Sequence, residues 1–131
     1  MSHFTTIKTS FVSKEHLRKA LADVSAEFGL TNIRENSQVR GFGRSVTNAE
    51  LVVSTRNQGY DIGFRSENGV YALIADWYGI KDLARDMLTS RLSQRYAYHA
   101  VKEKLDGKGF AVVEEEVGEE KTIHLRVRRA V

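Results

Sequence analysis

Apolar residues recur at the three- and four-residue spacing of an amphipathic helix in two parts of the chain. In the first part, an N-cap at Ser13 and a terminating Gly29 bound an apolar stripe that consists of Leu17, Ala20, Leu21, Val24 and Phe28. The second runs from Ile80 to Asp106; Gln94 and Arg95 interrupt its stripe, and a kink or break is expected near 89–94. Each stripe covers one face of its helix, so each helix needs a sheet to pack against.

Alternation of apolar and polar residues predicts strands in most of the remaining chain. They are expected at residues 3–9, 31–35, 50–56, 60–65, 70–76, 110–117 and 121–129. Turns at 57–59 and 66–69 join three of them into an antiparallel meander, and the pair Asn68-Gly69 suits the left-handed backbone of a tight hairpin. Residues 36–48 are polar and contain glycine, which predicts a mobile loop.

The order of elements is therefore β-α-β-β-β-β-α-β-β, which indicates an α+β fold. We expect a single, mostly antiparallel sheet with two helices packed on one face. The other face is then free for solvent or a partner. No linker or repeat divides the chain, so residues 1–131 are expected to form one domain.

Composition fits a folded protein of a reducing compartment. Hydrophobic residues make up 41% of the chain and charged residues 28%, and cysteine is absent. No apolar run approaches the length that spans a bilayer, so we expect a cytoplasmic protein without membrane contact. The net charge of +3 permits nucleic-acid binding without arguing for it.

The side chains that carry catalysis are not grouped in any known spacing. The histidines His3, His16, His99 and His124 share no metal-ligand spacing, and no nucleophile or phosphate-binding motif is present. We therefore expect no catalytic residues, no metal and no cofactor. An enzyme that acts through His99 and Asp61 would require those two groups to meet in a concave pocket.

One short segment has a partial likeness to an RNA-binding motif. Arg40-Gly41-Phe42-Gly43 matches the opening of the strand on which RNA-recognition domains stack bases, but Arg44 and Ser45 follow where a second aromatic residue is needed. A solvated or partner-binding loop is the simpler interpretation. The candidate nucleic-acid contacts are Arg34, Arg40, Phe42 and Arg44.

The segment Arg95-Tyr96-Ala97-Tyr98-His99 concentrates residue types that are common at interfaces. Tyr96 and His99 are three residues apart and share one face of the predicted helix. They can anchor a partner or an anionic ligand, or they can bury a ring and leave its polar tip in water.

With these segments in place, the sequence resembles the hypothetical chloroplast reading frame thirty-five family, which occurs in plastid and cyanobacterial genomes. The segments that carry the resemblance are Met1-Ser2-His3-Phe4, Thr6-Ile7-Lys8, Gly59-Tyr60-Asp61-Ile62-Gly63-Phe64, Gln94-Arg95-Tyr96-Ala97-Tyr98-His99 and Gly109-Phe110. The resemblance implies an accessory role without catalysis and adds the plastid stroma as a compartment. It marks as candidate partner-binding residues Tyr60, Asp61, Arg95, Tyr96, Tyr98 and His99.

The leading hypothesis is a non-catalytic accessory or adaptor protein that acts by protein–protein interaction. It would use the free sheet face or a strand edge, with the region of Tyr96 and His99 as its anchor. The alternative is an RNA-binding accessory protein that uses the loop of Arg34, Arg40 and Arg44.

Overall fold

Strands and helices follow one another in the predicted order in a computed structural model that describes residues 3–117 and 123–129. The two helices are α1 (Lys14–Phe28) and α2 (Arg85–Gly107). The strands are β1 (Thr5–Lys8), β2 (Thr31–Arg40), β3 (Val46–Ser54), β4 (Asp61–Glu67), β5 (Val70–Ala75), β6 (Phe110–Val117) and β7 (Ile123–Arg129).

The ends of α1 are those that the sequence predicts. The Ser13 side chain accepts a hydrogen bond from the backbone N–H of His16 at 3.2 Å, and Gly29 ends the helix with a φ of 64°. Helix α2 begins at Arg85, five residues later than the apolar spacing suggested, because Ile80 and its neighbours belong to the preceding turn. It continues without a break through 89–94, where a kink was expected.

Five antiparallel strands form the main sheet, in the order β1-β5-β4-β3-β2. On one face Leu51, Phe64 and Leu73 lie opposite one another on three neighbouring strands. Both helices pack against this row, with Leu17 of α1 and Leu88 of α2 in the same buried core. The predicted α+β fold, with two helices on one side of an antiparallel sheet, is confirmed.

The opposite face of the sheet is covered in part by the hairpin of β2 and β3. Strand β3 pairs with β2 from end to end, but it pairs with β4 only through residues 51–54. The far half of the hairpin therefore leaves the plane of the sheet and crosses back over it. Val39, Ala49 and Val52 are buried together there, with Phe4 packed against them.

Two predictions are corrected by this hairpin. Residues 36–40 and 46–48 are strand, not a mobile loop, and the face that was expected to be free carries a second, small core. The segment is polar because its outer side faces water. Asn32 and Asn36 adopt positive φ values of 54° and 49°, and the register shifts between Thr31 and Arg34, which lets the strand bend.

The closing hairpin stands apart from the main sheet. Strands β6 and β7 pair with each other as a two-stranded sheet, and β6 also lies against α2. The turn predicted at Gly118 lies outside the described residues.

Candidate functional site

Three aromatic rings from separate parts of the chain meet at the tip of the folded hairpin. His3 precedes β1, Phe42 lies in the turn between β2 and β3, and Tyr78 follows β5. The rings of His3 and Tyr78 are stacked with centroids 5.0 Å apart, and Phe42 meets both rings edge-on at 5.6 and 5.7 Å. We call these three residues the aromatic patch.

The aromatic patch is open to solvent although its backbone is firmly held. Phe42 is 44% exposed and Tyr78 is 58% exposed. Beneath them the buried carboxylate of Asp76 accepts hydrogen bonds from the backbone N–H of Phe42 at 2.7 Å and of Tyr78 at 3.1 Å. One buried side chain thus fixes two of the three ring-bearing segments relative to each other.

Glycines on either side of Phe42 let the hairpin tip approach the sheet and turn. A Cβ atom on Gly41 would lie 2.9 Å from the Phe4 ring and 3.0 Å from Asp76, so the close approach requires glycine. Gly43 has a φ of 62° within the turn that the Ser45 N–H closes by donating to the Phe42 carbonyl. The Arg-Gly-Phe-Gly sequence is therefore a turn that presents one ring.

A second buried carboxylate, Asp61, holds the strand just before the tip. The Arg40 guanidinium donates to both Asp61 oxygens at 2.8 and 3.0 Å, the Arg40 backbone N–H adds a bond of 2.9 Å, and Arg34 lies 3.3 Å away. Burial alone would raise the pKa of the Asp61 carboxyl, but the Arg40 bonds outweigh it and lower the pKa below its ordinary value. The charged Asp61 side chain thus holds the hairpin of β2 and β3 against the sheet.

The predicted partner-binding residues of α2 connect the two helices. Asp23 of α1 accepts hydrogen bonds from Arg95 at 2.8 Å and from His99 at 2.6 Å. Burial would raise the pKa of Asp23, yet these bonds lower it. The Tyr98 ring lies 4.3 Å from the Arg95 guanidinium and meets the His99 ring edge-on. These side chains form an interhelical cluster at the surface.

Tyr96 points between the helices. Its hydroxyl accepts hydrogen bonds from the backbone N–H of Val12 at 3.0 Å and of Ser13 at 2.9 Å, and its ring packs against Phe11 and His16. These contacts fix the chain where α1 begins, a structural role that the three-residue spacing with His99 did not predict.

The six predicted partner-binding residues therefore do not form one surface. Tyr60 packs against Gly79, where an added Cβ would lie 1.9 Å from its ring, and joins the core on the helix side. Asp61 lies on the opposite side, under the hairpin. The remaining four are on α2, with Tyr96 separated from the others by its position between the helices.

The structure also separates the candidate nucleic-acid contacts. Arg34 and Arg40 share the buried Asp61, so their charges are already paired. Phe42 belongs to the aromatic patch. Arg44 is exposed in the tip turn and has no ion pair among residues 3–117 and 123–129.

No pairing of His99 with Asp61 is present, because the two lie on opposite sides of the sheet. Within the described part of the chain, no group of three or more His, Asp or Glu side chains is arranged to hold a metal ion. None of the helices seen in those residues is both long and apolar enough to cross a bilayer.

Sequence reasoning missed most of the aromatic patch. Phe42 is a predicted contact, but no sequence pattern assigned His3 or Tyr78 to a contact surface. The available signal was an aromatic residue beside glycine at two turns, in Gly41-Phe42-Gly43 and Tyr78-Gly79. Nothing in the sequence indicated that these turns meet.

Comparisons with known proteins agree on one family. A family model described as "Protein of unknown function (DUF1257)" matches residues 24–126. Relatives named "Uncharacterized protein ycf35" are 33% identical in Cyanophora paradoxa, 32% in Guillardia theta and 27% in Pyropia yezoensis, over 98% of this chain and of each relative. No solved structure matches. The resemblance to the chloroplast reading frame family is thus confirmed. The chain is related to the ycf35 proteins and belongs to the family of unknown function DUF1257.

Proposed function

We propose that this protein is a non-catalytic accessory protein that binds another protein through the aromatic patch. The observation that carries the proposal is that His3, Phe42 and Tyr78 are exposed and mutually packed while Asp76 fixes the backbone of two of them. Aromatic side chains supply large contact area, and a surface that is already ordered loses little conformational entropy on binding.

The proposed contact surface is neither the sheet face nor the region of Tyr96 and His99 on α2. The sheet face is partly covered by the hairpin, and Tyr96 and His99 serve contacts within the protein. RNA binding through Arg34 and Arg40 is poorly supported, since both are paired with Asp61 and bring little free charge to a phosphate backbone.

The test is co-purification of a tagged copy from the source organism, with the double variant Phe42→Ala/Tyr78→Ala. The matched control is Met87→Ala/Val101→Ala, which removes two side chains of similar exposure (50% and 46%) from α2. We expect one protein partner to be retained by wild type and control and lost by the patch variant, because interface energy is concentrated in a few aromatic anchors.

Circular dichroism should show all three proteins equally folded. Retention of the partner by the patch variant, or a wild-type protein that purifies alone, would contradict the proposal. Nucleic acid as the only retained molecule would contradict it as well.

A further inference from the structure

We infer that the partner covers the aromatic patch with an acidic segment that carries a large apolar side chain, an inference that rests on the proposed function. It follows from the charges around the three rings. The Lys81 ammonium lies 4.8 Å from the centroid of the Tyr78 ring, and Arg44 stands in the tip turn two residues after Phe42.

The cations at the patch are not neutralised by neighbouring carboxylates. Neither Lys81 nor Arg44 has an ion pair in the part of the chain that the structure describes, and both are exposed. The segments that build the patch, residues 3–12, 38–49 and 77–81, contain no Asp or Glu. The patch therefore presents positive charge beside apolar rings.

The nearest carboxylates have other partners. Asp76 is buried, and its two oxygens accept the backbone N–H groups of Phe42 and Tyr78. Asp61 is buried beneath Arg40. Asp82, next to Lys81 in sequence, accepts a 2.6 Å hydrogen bond from Asn57 and lies 3.7 Å from Arg56. An approaching anion thus meets two cations, while Asp76 and Asp61 are buried and the exposed Asp82 is engaged by Asn57 and Arg56.

A carboxylate-rich protein segment fits these groups better than a single-stranded nucleic acid. Base stacking needs a free ring face, and the His3 ring already stacks on Tyr78. Nucleic-acid affinity also grows with the number of phosphates contacted, and Arg44 and Lys81 bring two cations to the aromatic patch. Two carboxylates that flank one apolar side chain match two cations, one over the Tyr78 ring and one two residues after Phe42.

The inference is tested by fluorescence anisotropy of the full chain with labelled probes. The acidic probe has Leu-Phe flanked on both sides by Glu, a basic probe has Lys in place of Glu, and the third probe is a single-stranded oligouridylate. We expect the acidic probe alone to bind, with a Kd of about 0.1 mM or tighter. Tighter binding of either other probe, or no binding of the acidic probe up to about 1 mM, overturns the inference.

Charge reversal localises the effect. Arg44→Glu/Lys81→Glu should weaken acidic-probe binding by about tenfold or more. The control Arg85→Glu/Lys102→Glu reverses two exposed cations on α2 and should change binding by less than about twofold. Equal weakening by both variants overturns the inference.

The two proposals fail in distinguishable ways. If the natural partner is lost by Phe42→Ala/Tyr78→Ala but fully retained by Arg44→Glu/Lys81→Glu, the proposed function stands and the acidic segment is wrong. If the partner is retained by both variants, the patch is not the contact surface and both proposals fail.

Discussion

Gly63 lies where the folded hairpin meets the sheet, and its missing side chain makes room for the hairpin. A Cβ atom there would lie 2.3 Å from Val39 Cγ2 and 3.0 Å from the Ala49 Cβ. Gly63→Ala should therefore push the hairpin off the sheet and lower the free energy of unfolding by about 1 to 3 kcal/mol in urea denaturation.

A second glycine provides the control for that substitution. Gly107, at the end of α2, has open space around its Cα. Gly107→Ala should be neutral or stabilise by up to about 1 kcal/mol, since alanine favours helix. If the two variants behaved alike, Gly63 would not be the contact that seats the hairpin.

The Tyr96 hydroxyl satisfies two backbone N–H groups at the start of α1. Tyr96→Phe keeps the ring but leaves the N–H of the half-buried Ser13 without this acceptor, so we expect a loss of about 1 to 2 kcal/mol in the free energy of unfolding. Thermal denaturation measures it, with Tyr78→Phe at an exposed ring as the control. An unchanged melting temperature for Tyr96→Phe would return Tyr96 to the list of candidate contact residues.

At the scale of elements, the hairpin of β2 and β3 is held by charge as well as by packing. Asp61 is inaccessible to solvent, while the Arg40 side chain is half exposed, so part of their attraction is screened by water. Asp61→Asn should cost about 1 to 3 kcal/mol, because it removes the charge that both guanidinium groups face. Glu67→Gln, which breaks the exposed pair with Arg65, should cost less than about 1 kcal/mol.

The stability cost of Asp61→Asn should depend on pH, because the pKa of Asp61 is lowered in the folded protein. A carboxyl with a lower pKa in the folded state contributes its full stability above the pKa of the unfolded chain, about 4, and loses it as the pH falls through the folded value. The difference in unfolding free energy between wild type and Asp61→Asn should thus be constant above about pH 5 and shrink below about pH 4. A difference in unfolding free energy that grows on acidification would contradict the role of charged Asp61 in holding the hairpin.

At the scale of the whole molecule, the parts predicted from the sequence are those set by local forces. Helix α1 begins after Ser13 and stops at Gly29, as expected. Asn68 and Gly69 form the predicted hairpin turn, with φ values of 56° and 84°. Each of these features depends on residues only a few positions away in the sequence. The order and class of the elements follow from such signals, because apolar periodicity is also local.

The parts that the sequence did not reveal depend on contacts between distant residues. Asp61 meets Arg40 and Asp76 meets Phe42 across 21 and 34 positions of sequence, and neither pairing leaves a local pattern. Asp61 was marked by family resemblance as a partner contact, whereas its burial gives it an internal role. The aromatic patch also depends on the hairpin of β2 and β3 folding over the sheet. The sequence of that hairpin is polar and contains glycine, which predicted a loop instead of strands.

The closing hairpin tests how far this fold acts as one unit. Strand β4 has a hydrogen-bonded partner on each side, whereas β6 and β7 pair only with each other in the described residues. A two-stranded ribbon has little stability of its own, and β6 contacts α2, the helix that it directly follows. Local opening should therefore be easier there than in the main sheet.

Hydrogen exchange followed by mass spectrometry measures that difference directly. Backbone amides of residues 110–117 and 123–129 should exchange at a lower free energy of opening than those of 61–67, under conditions where the whole protein stays folded. Substitutions in the main sheet such as Gly63→Ala should then lower protection in β4 and leave β6 and β7 unchanged until global unfolding dominates. Equal protection of β4 and β6 in wild type would instead show that the closing hairpin folds as part of the main body.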